Sequence, residues 1–223
     1  MSDDNSTFIR EVNDDLRSDL MKSLWKRFRF VIVGAAVAIV AITAGLRGWE
    51  HWKETTAAES GDAFLAALEQ ARDGNADAAL AGFQEIEKSG YGSYPVLAQM
   101  RAATVLADKG DTAAAISAFS SVAKDSSQPQ AIRDAARLRA AYLLVDHGSY
   151  ADVSAEVEQL AVPGNPARHS AREALGTAAF KAGDLAKAAQ WFGDIAADTQ
   201  SPNGIATRAG IMLDLIAARG GTT

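Results

Sequence analysis

Apolar residues follow two different patterns along this chain. Residues 30–46, from Phe30 to Leu46, pass without a single charge. From about residue 55 onward, apolar side chains recur every three or four positions among abundant alanines, with few β-branched runs. The first pattern predicts a membrane-spanning helix and the second a series of helices that each bury one face.

At ~1.5 Å per residue the apolar run makes roughly 26 Å of helix, against a hydrocarbon core of ~30 Å. Its flanks extend it. Phe28 lengthens the apolar stretch, and Arg29 can reach back to the interface. Trp25 lies just before the run and Trp49 and Trp52 just after it, at the positions of interfacial aromatic belts. Lys22, Lys26, Arg27 and Arg29 crowd the N-terminal side. Arg47 and Lys53 on the other side are offset by Glu50 and Glu54. The positive-inside rule then places the N-terminus in the cytoplasm and the rest across a bacterial inner membrane, in the periplasm, as a single-pass protein. Cleavage as a signal peptide is disfavoured. The preceding region carries six acids, and Ile42-Thr43-Ala44 makes a poor small-x-small site. The chain has no cysteine, so no disulfide framework is implied.

The segment before the run has its own periodicity. Ile9, Val12, Leu16, Leu20 and Leu24 share one helical face, with charges filling the remainder. A helix on the inner leaflet, a docking helix and a weakly ordered tail are all compatible with that pattern. The resulting division is a cytoplasmic amphipathic tail at 1–29, a transmembrane helix at 30–46, a juxtamembrane helical linker at 47–60, a helical domain at 61–219 and a disordered end at 220–223.

Within the helical domain a Gly–polar pair recurs as Gly74-Asn75, Gly110-Asp111, Gly148-Ser149 and Gly183-Asp184. Glycine ends one helix and the polar residue caps the next. Five residues past each glycine stands Ala79, Ala115, Val153 or Ala188, and four further on Phe83, Phe119, Val157 or Phe192. Seven before each glycine stands Ala67, Ala103, Ala141 or Gly176. Small residues at a helix crossing let backbones approach, and the larger one packs between neighbouring hairpins. A period in the mid-thirties with this punctuation resembles tetratricopeptide helix–turn–helix repeats. The expected fold class is all-α: a single N-terminal transmembrane helix, then a tetratricopeptide-like helical-hairpin solenoid with a C-terminal capping helix. That last helix would pack through Ile205, Ile211, Met212, Leu215 and Ile216.

The chemistry is sparse. His51, His147 and His169 lack partners at ligand spacing, and His147 and His169 are expected in loops as solvated residues. Gly90-Tyr91-Gly92 is not a dinucleotide loop, because Pro95 replaces the third glycine. No nucleophile, phosphate-loop or zinc spacing occurs, so no enzyme, cofactor or metal is expected. Six basic and six acidic residues precede residue 47, leaving 16 and 22 of the chain's 22 and 28 beyond it. An acidic domain repels nucleic acid, and can steer basic or newly exported segments.

Several motifs together resemble one family. They are residues 8–17 with Leu24-Trp25-Lys26-Arg27-Phe28, and then Gly45-Leu46-Arg47-Gly48-Trp49. Further along come Asn165-Pro166-Ala167-Arg168 with Ala174-Leu175-Gly176, and residues 198–204 followed by Arg208-Ala209. Over nearly its whole length the chain resembles the ancillary Sec-translocon subunits, the YfgM-type membrane-anchored tetratricopeptide-like proteins, in an alphaproteobacterial form. Ala167 departs from the family, where a tryptophan is expected. The resemblance implies a non-enzymatic interaction module. Its partners would be Sec translocon subunits, a membrane-anchored parvulin-type foldase, exported client polypeptides and membrane lipid, with no nucleic acid. An envelope-assembly or cell-division scaffold is the alternative, and a signalling role for the tail is a third.

In repeats of this type the first helices line the concave face. Counting from each glycine, the inward positions are Phe64, Leu68, Arg72, Met100, Thr104, Leu138, Tyr142, Asp146, Glu173, Thr177 and Lys181, a candidate peptide groove. Any of the aliphatic ones could instead be core.

Overall fold

The computed structural model describes residues 3–220, with side chains for residues 21, 22 and 25–220. The chain divides into two units, residues 1–55 and 56–223. Among the described residues it forms nine α-helices and one short 3₁₀ turn, with no strand.

The first unit is helical throughout. Helix α1 (Asp3–Arg72) supplies all of its described residues and then the first helix of the second unit. Phe30, Val31, Val40 and Leu46 are exposed, as are Trp25, Trp49 and Trp52. Within α1 lies the one stretch among the described residues that is long and apolar enough to cross a membrane. Beside it, the Trp49 and Trp52 rings lie 5.3 Å apart, and Lys53 Nζ stands 5.3 Å from the Trp49 ring. Arg29 stacks 4.8 Å from the Phe30 ring. Lys26 and Arg27 are exposed. The amphipathic face proposed for Ile9, Val12, Leu16, Leu20 and Leu24 lies outside the described side chains.

In the second unit the remaining helices are α2 (Ala76–Ser89), α3 (Tyr94–Asp108), α4 (Thr112–Lys124), α5 (Gln130–His147), α6 (Tyr150–Val157), α7 (Arg168–Lys181), α8 (Leu185–Ala197) and α9 (Asn203–Ala218). Consecutive helices pack on one another, and α5 meets α7 while α7 meets α9. Hairpins therefore stack in chain order, each burying a face its neighbour completes. All twelve repeat positions are buried: the four small residues before the glycines, and the eight alanines, valines and phenylalanines after them. Phe83 and Phe192 are fully enclosed, each contributing ~1.5–3 kcal/mol of burial.

Three of the four Gly–polar turns share one geometry. Gly74, Gly110 and Gly183 have φ of 84°, 88° and 81°, a backbone region that side chains strain to enter. In each, the polar residue's N–H reaches five residues back, as Asp111 N to Leu106 O at 2.9 Å, and the glycine N–H bonds three back. That double bond satisfies carbonyls at the helix end. Gly148 departs from this pattern. Its φ is −120°, it bonds only to Leu144 O at 2.7 Å, and α6 follows at once. A Cβ there would meet Leu144 Cδ2 at 2.9 Å, so close approach, not a left-handed turn, requires this glycine.

The capping expectation also divides. Asp111 accepts from Ala114 N, Asp184 from Lys187 N, and Ser149 forms a reciprocal capping box with Asp152. Asn75 makes no side-chain cap, because its amide donates to Gln70 Oε1 at 3.0 Å. In α9, Ile205, Met212, Leu213 and Ile216 turn inward, whereas Ile211 and Leu215 are exposed. Ala209, buried, takes the inward position one turn before Leu213 and two before Ile216.

Candidate functional site

The first helices of the hairpins, α1, α3, α5 and α7, with α9 beyond them, carry three hollows in series. The first, of about 240 Å³, is lined by Leu68, Ala71, Arg72, Phe83, Arg101, Thr104, Val105 and Asp108. The second, about 180 Å³, shares Thr104 and Asp108 and adds Ala107, Phe119, Arg139, Tyr142 and Leu143. The third, about 430 Å³, shares Tyr142 and adds Val145, Asp146, Glu173, Ala174, Thr177 and Arg208. Shared residues make them one interrupted trough. Its periodic supply of side chains follows from the repeat, since α3, α5 and α7 each present the same face in turn.

The structure thus brings together Leu68, Arg72, Thr104, Tyr142, Asp146, Glu173 and Thr177. It separates others from them. Phe64 packs between Phe83 (5.7 Å) and Tyr94 (5.8 Å), inside the first hairpin's core. Met100 fills the junction of two core clusters around Val122 and Phe119. Leu138 packs on the cluster around Leu175. These three positions have the right helical phase but are occupied by residues that gain more from burial than from lining water. Lys181 donates to the carbonyls of Val145 (2.9 Å) and Asp146 (2.5 Å), closing the end of α5.

Tyr142 is the central residue, 43% exposed and common to two hollows. Around it the charges are uneven. Arg72 engages Glu69 and Asp73. Arg208 forms a fork on Glu173, Nε to Oε1 at 2.5 Å and Nη2 to Oε2 at 2.9 Å, and hydrogen bonding to that carboxylate raises the guanidinium's pKa.

A polar cluster that the sequence reading missed joins α7 to the end of α8. Arg168 donates from Nε to Asp198 Oδ2 at 2.8 Å and from Nη2 to Gln200 Oε1 at 2.7 Å. Buried Arg172 donates to the carbonyls of Ala161 and Asp194 and stands 3.5 Å from Asp198. His169 is 5% exposed, in α7 and not in a solvated loop. Ser201 Oγ gives its proton to Ile195 O at 2.7 Å, so His169 Nδ1 donates to it across 3.0 Å. Nε2 stands 3.6 Å from Asp198 without a hydrogen bond. Serine, histidine and aspartate are adjacent, but the hydroxyl is already committed to Ile195 O and the imidazole is buried, so the cluster ties α7 to the end of α8. His147 closes α5 as its last, exposed residue. Among the described residues no group of acids and histidines could hold a metal ion.

A stack of antiparallel helical hairpins with a trough along its first helices defines a helical-repeat scaffold of the kind that binds other proteins. A model of the tetratricopeptide repeat-like domain matches residues 22–203, and the chain belongs to that family. Comparison with curated proteins and with solved structures returns no match.

Proposed function

We propose that this protein is a membrane-tethered, non-enzymatic interaction module of the YfgM type. It associates with the Sec translocon and a parvulin-type foldase, and receives exported polypeptides as they emerge. The observation that carries the reading is the pairing, in one chain, of an exposed apolar helical stretch between tryptophan and arginine flanks with a repeat unit that has a trough. A tether concentrates a weak binder where clients appear, so affinity need not be high. The cluster of Lys22, Lys26, Arg27 and Arg29 just before Phe30, with no acid among residues 20–29, supports a cytoplasmic N-terminus and a periplasmic repeat unit.

Photo-crosslinkers placed singly at Leu16, Trp49 and Tyr142 test this in cells. Translocon subunits captured from Trp49 and nascent exported chains captured from Tyr142 are expected. Capture of division proteins in their place would favour an envelope or division scaffold and end the translocon reading. Tyr142→Ala is a clean loss-of-contact variant because the side chain is half exposed, whereas Met100 is core and unsuited to the purpose.

A further inference from the structure

We infer that the trough is charge-graded and takes an extended peptide whose acidic portion lies across α3 and α5. The inference rests on the reading of the trough as a peptide site and adds the chemistry of its occupant.

The observation is a local reversal of sign. The chain as a whole carries 28 acids against 22 bases. Yet the first two hollows contain Arg72, Arg101 and Arg139, with Asp108 the one carboxylate lining them. Arg72 is engaged by Glu69 and Asp73, but among the described residues neither Arg101 nor Arg139 has an ion-pair partner. Both are exposed. They sit on successive first helices, either side of Thr104, whose hydroxyl is turned back to Met100 O. The third hollow has the opposite balance. Glu173 and Arg208 neutralise one another, and Asp146 remains, its carboxylate without a partner among the described residues. An extended chain laid along the trough therefore meets two unpaired guanidiniums against the single carboxylate of Asp108 first, and the unpaired carboxylate of Asp146 beyond Tyr142. Guanidiniums suit carboxylates by planar, two-point hydrogen bonding. At physiological salt fields decay over ~8 Å, so the two arginines govern their own hollow despite the acidic surroundings.

The test uses the full chain in uncharged detergent. Fluorescence anisotropy compares three short Gly/Ser/Leu peptides that carry glutamates, glutamines or lysines at the same positions. The glutamate peptide is expected to bind about five- to tenfold more tightly than the glutamine peptide, the sum of two exposed ion pairs. Added salt should shrink that margin. Arg101→Gln with Arg139→Gln should abolish it while the helical content stays unchanged. Equal binding of all three peptides, or preference for lysine, would overturn the charge-graded assignment and leave the peptide site standing. So would a preference that survives the double substitution. If no peptide binds, both readings fail together.

Discussion

At the scale of single residues the repeat depends on closeness at the helix crossings. A Cβ added to Gly176 would stand 2.9–3.1 Å from three atoms of the Phe192 ring, which is fully buried and cannot retreat. Alanine in a helix interior gains ~1 kcal/mol over glycine. Overpacking a closed core costs ~1–3 kcal/mol. Gly176→Ala should therefore lower stability by about 1 kcal/mol in a denaturant melt. Gly193 supplies the control: it is helical, and its Cβ would meet nothing within 4 Å. Gly193→Ala should raise stability by ~0.5–1 kcal/mol. Titration gives a second single-residue expectation. Burial, then the charges of Arg168 and Arg172, push the His169 pKa below its ordinary 6.5, against an opposing pull from Asp198. The folded state thus binds the proton less readily than the unfolded chain. Its stabilising contribution is complete above pH 6.5 and is lost as pH falls below that value. Asp198, held by Arg168 at about 2 instead of 3.8, contributes above pH 3.8 and fails between there and about 2. A melting-temperature profile should decline first below pH 6.5 and again below pH 3.8. His169→Gln should remove the first decline and keep the second.

Helix ends decide how well each hairpin is set, and they differ in ways the repeating Gly–polar pair conceals. Ser149 and Asp152 exchange hydrogen bonds across the start of α6, the shortest of the α-helices at eight residues. Losing that box removes two partners from donors that a short helix cannot satisfy otherwise. Ser149→Ala should cost ~1 kcal/mol, and hydrogen exchange should rise through α6 before its neighbours. Asn75→Ala should cost only a few tenths, since its side chain caps nothing. The same contrast marks what was legible in the sequence. Helix order, turns and all twelve repeat positions could be read, because they depend on spacing along the chain. Cap geometry at Asn75 and Gly148 could not, because one side chain found a nearer partner in Gln70 and one turn is a residue tighter. Facing was ambiguous where an apolar residue suits core and groove equally, as at Phe64, Met100 and Leu138 on the first helices and at Ile211 in α9. The Arg168–His169–Asp198 cluster was hidden for another reason. Its halves lie about thirty residues apart, and only the stacking of α7 on α8 joins them. Of the trough, the membership of Tyr142, Thr104 and Glu173 followed from helical phase. The contribution of Arg101 and Arg139 did not, since neither falls on the phase counted from the glycines.

For the whole molecule the central question is whether the proposed anchor does anything beyond holding the repeat unit in place. Each core cluster of the repeat unit, from the one around Phe83 to the one around Phe192, draws all of its residues from positions beyond 56. A chain begun at Thr56 should therefore fold cooperatively, keep its helical content and stay in the soluble fraction, while the full chain sediments with membranes. Recovery of the full chain in the soluble fraction would end the anchor reading. Gly34 and Ala38 lie four apart on the apolar stretch, and a Cβ at Gly34, Gly45 or Gly48 would meet nothing within 4 Å. Small residues at such spacing permit close helix packing in a bilayer. The two roles separate if residues 30–46 are replaced by an unrelated leucine-rich span of equal length, with the flanking Trp25, Arg29 and Trp49 retained. A pure tether predicts unchanged capture of nascent exported chains from Tyr142, because proximity alone sets the local concentration. A span that also binds predicts loss of that capture while membrane fractionation and the melting profile of the repeat unit stay as they were. Restoring Gly34, Ala38 and Gly45 alone within the replacement should then recover it.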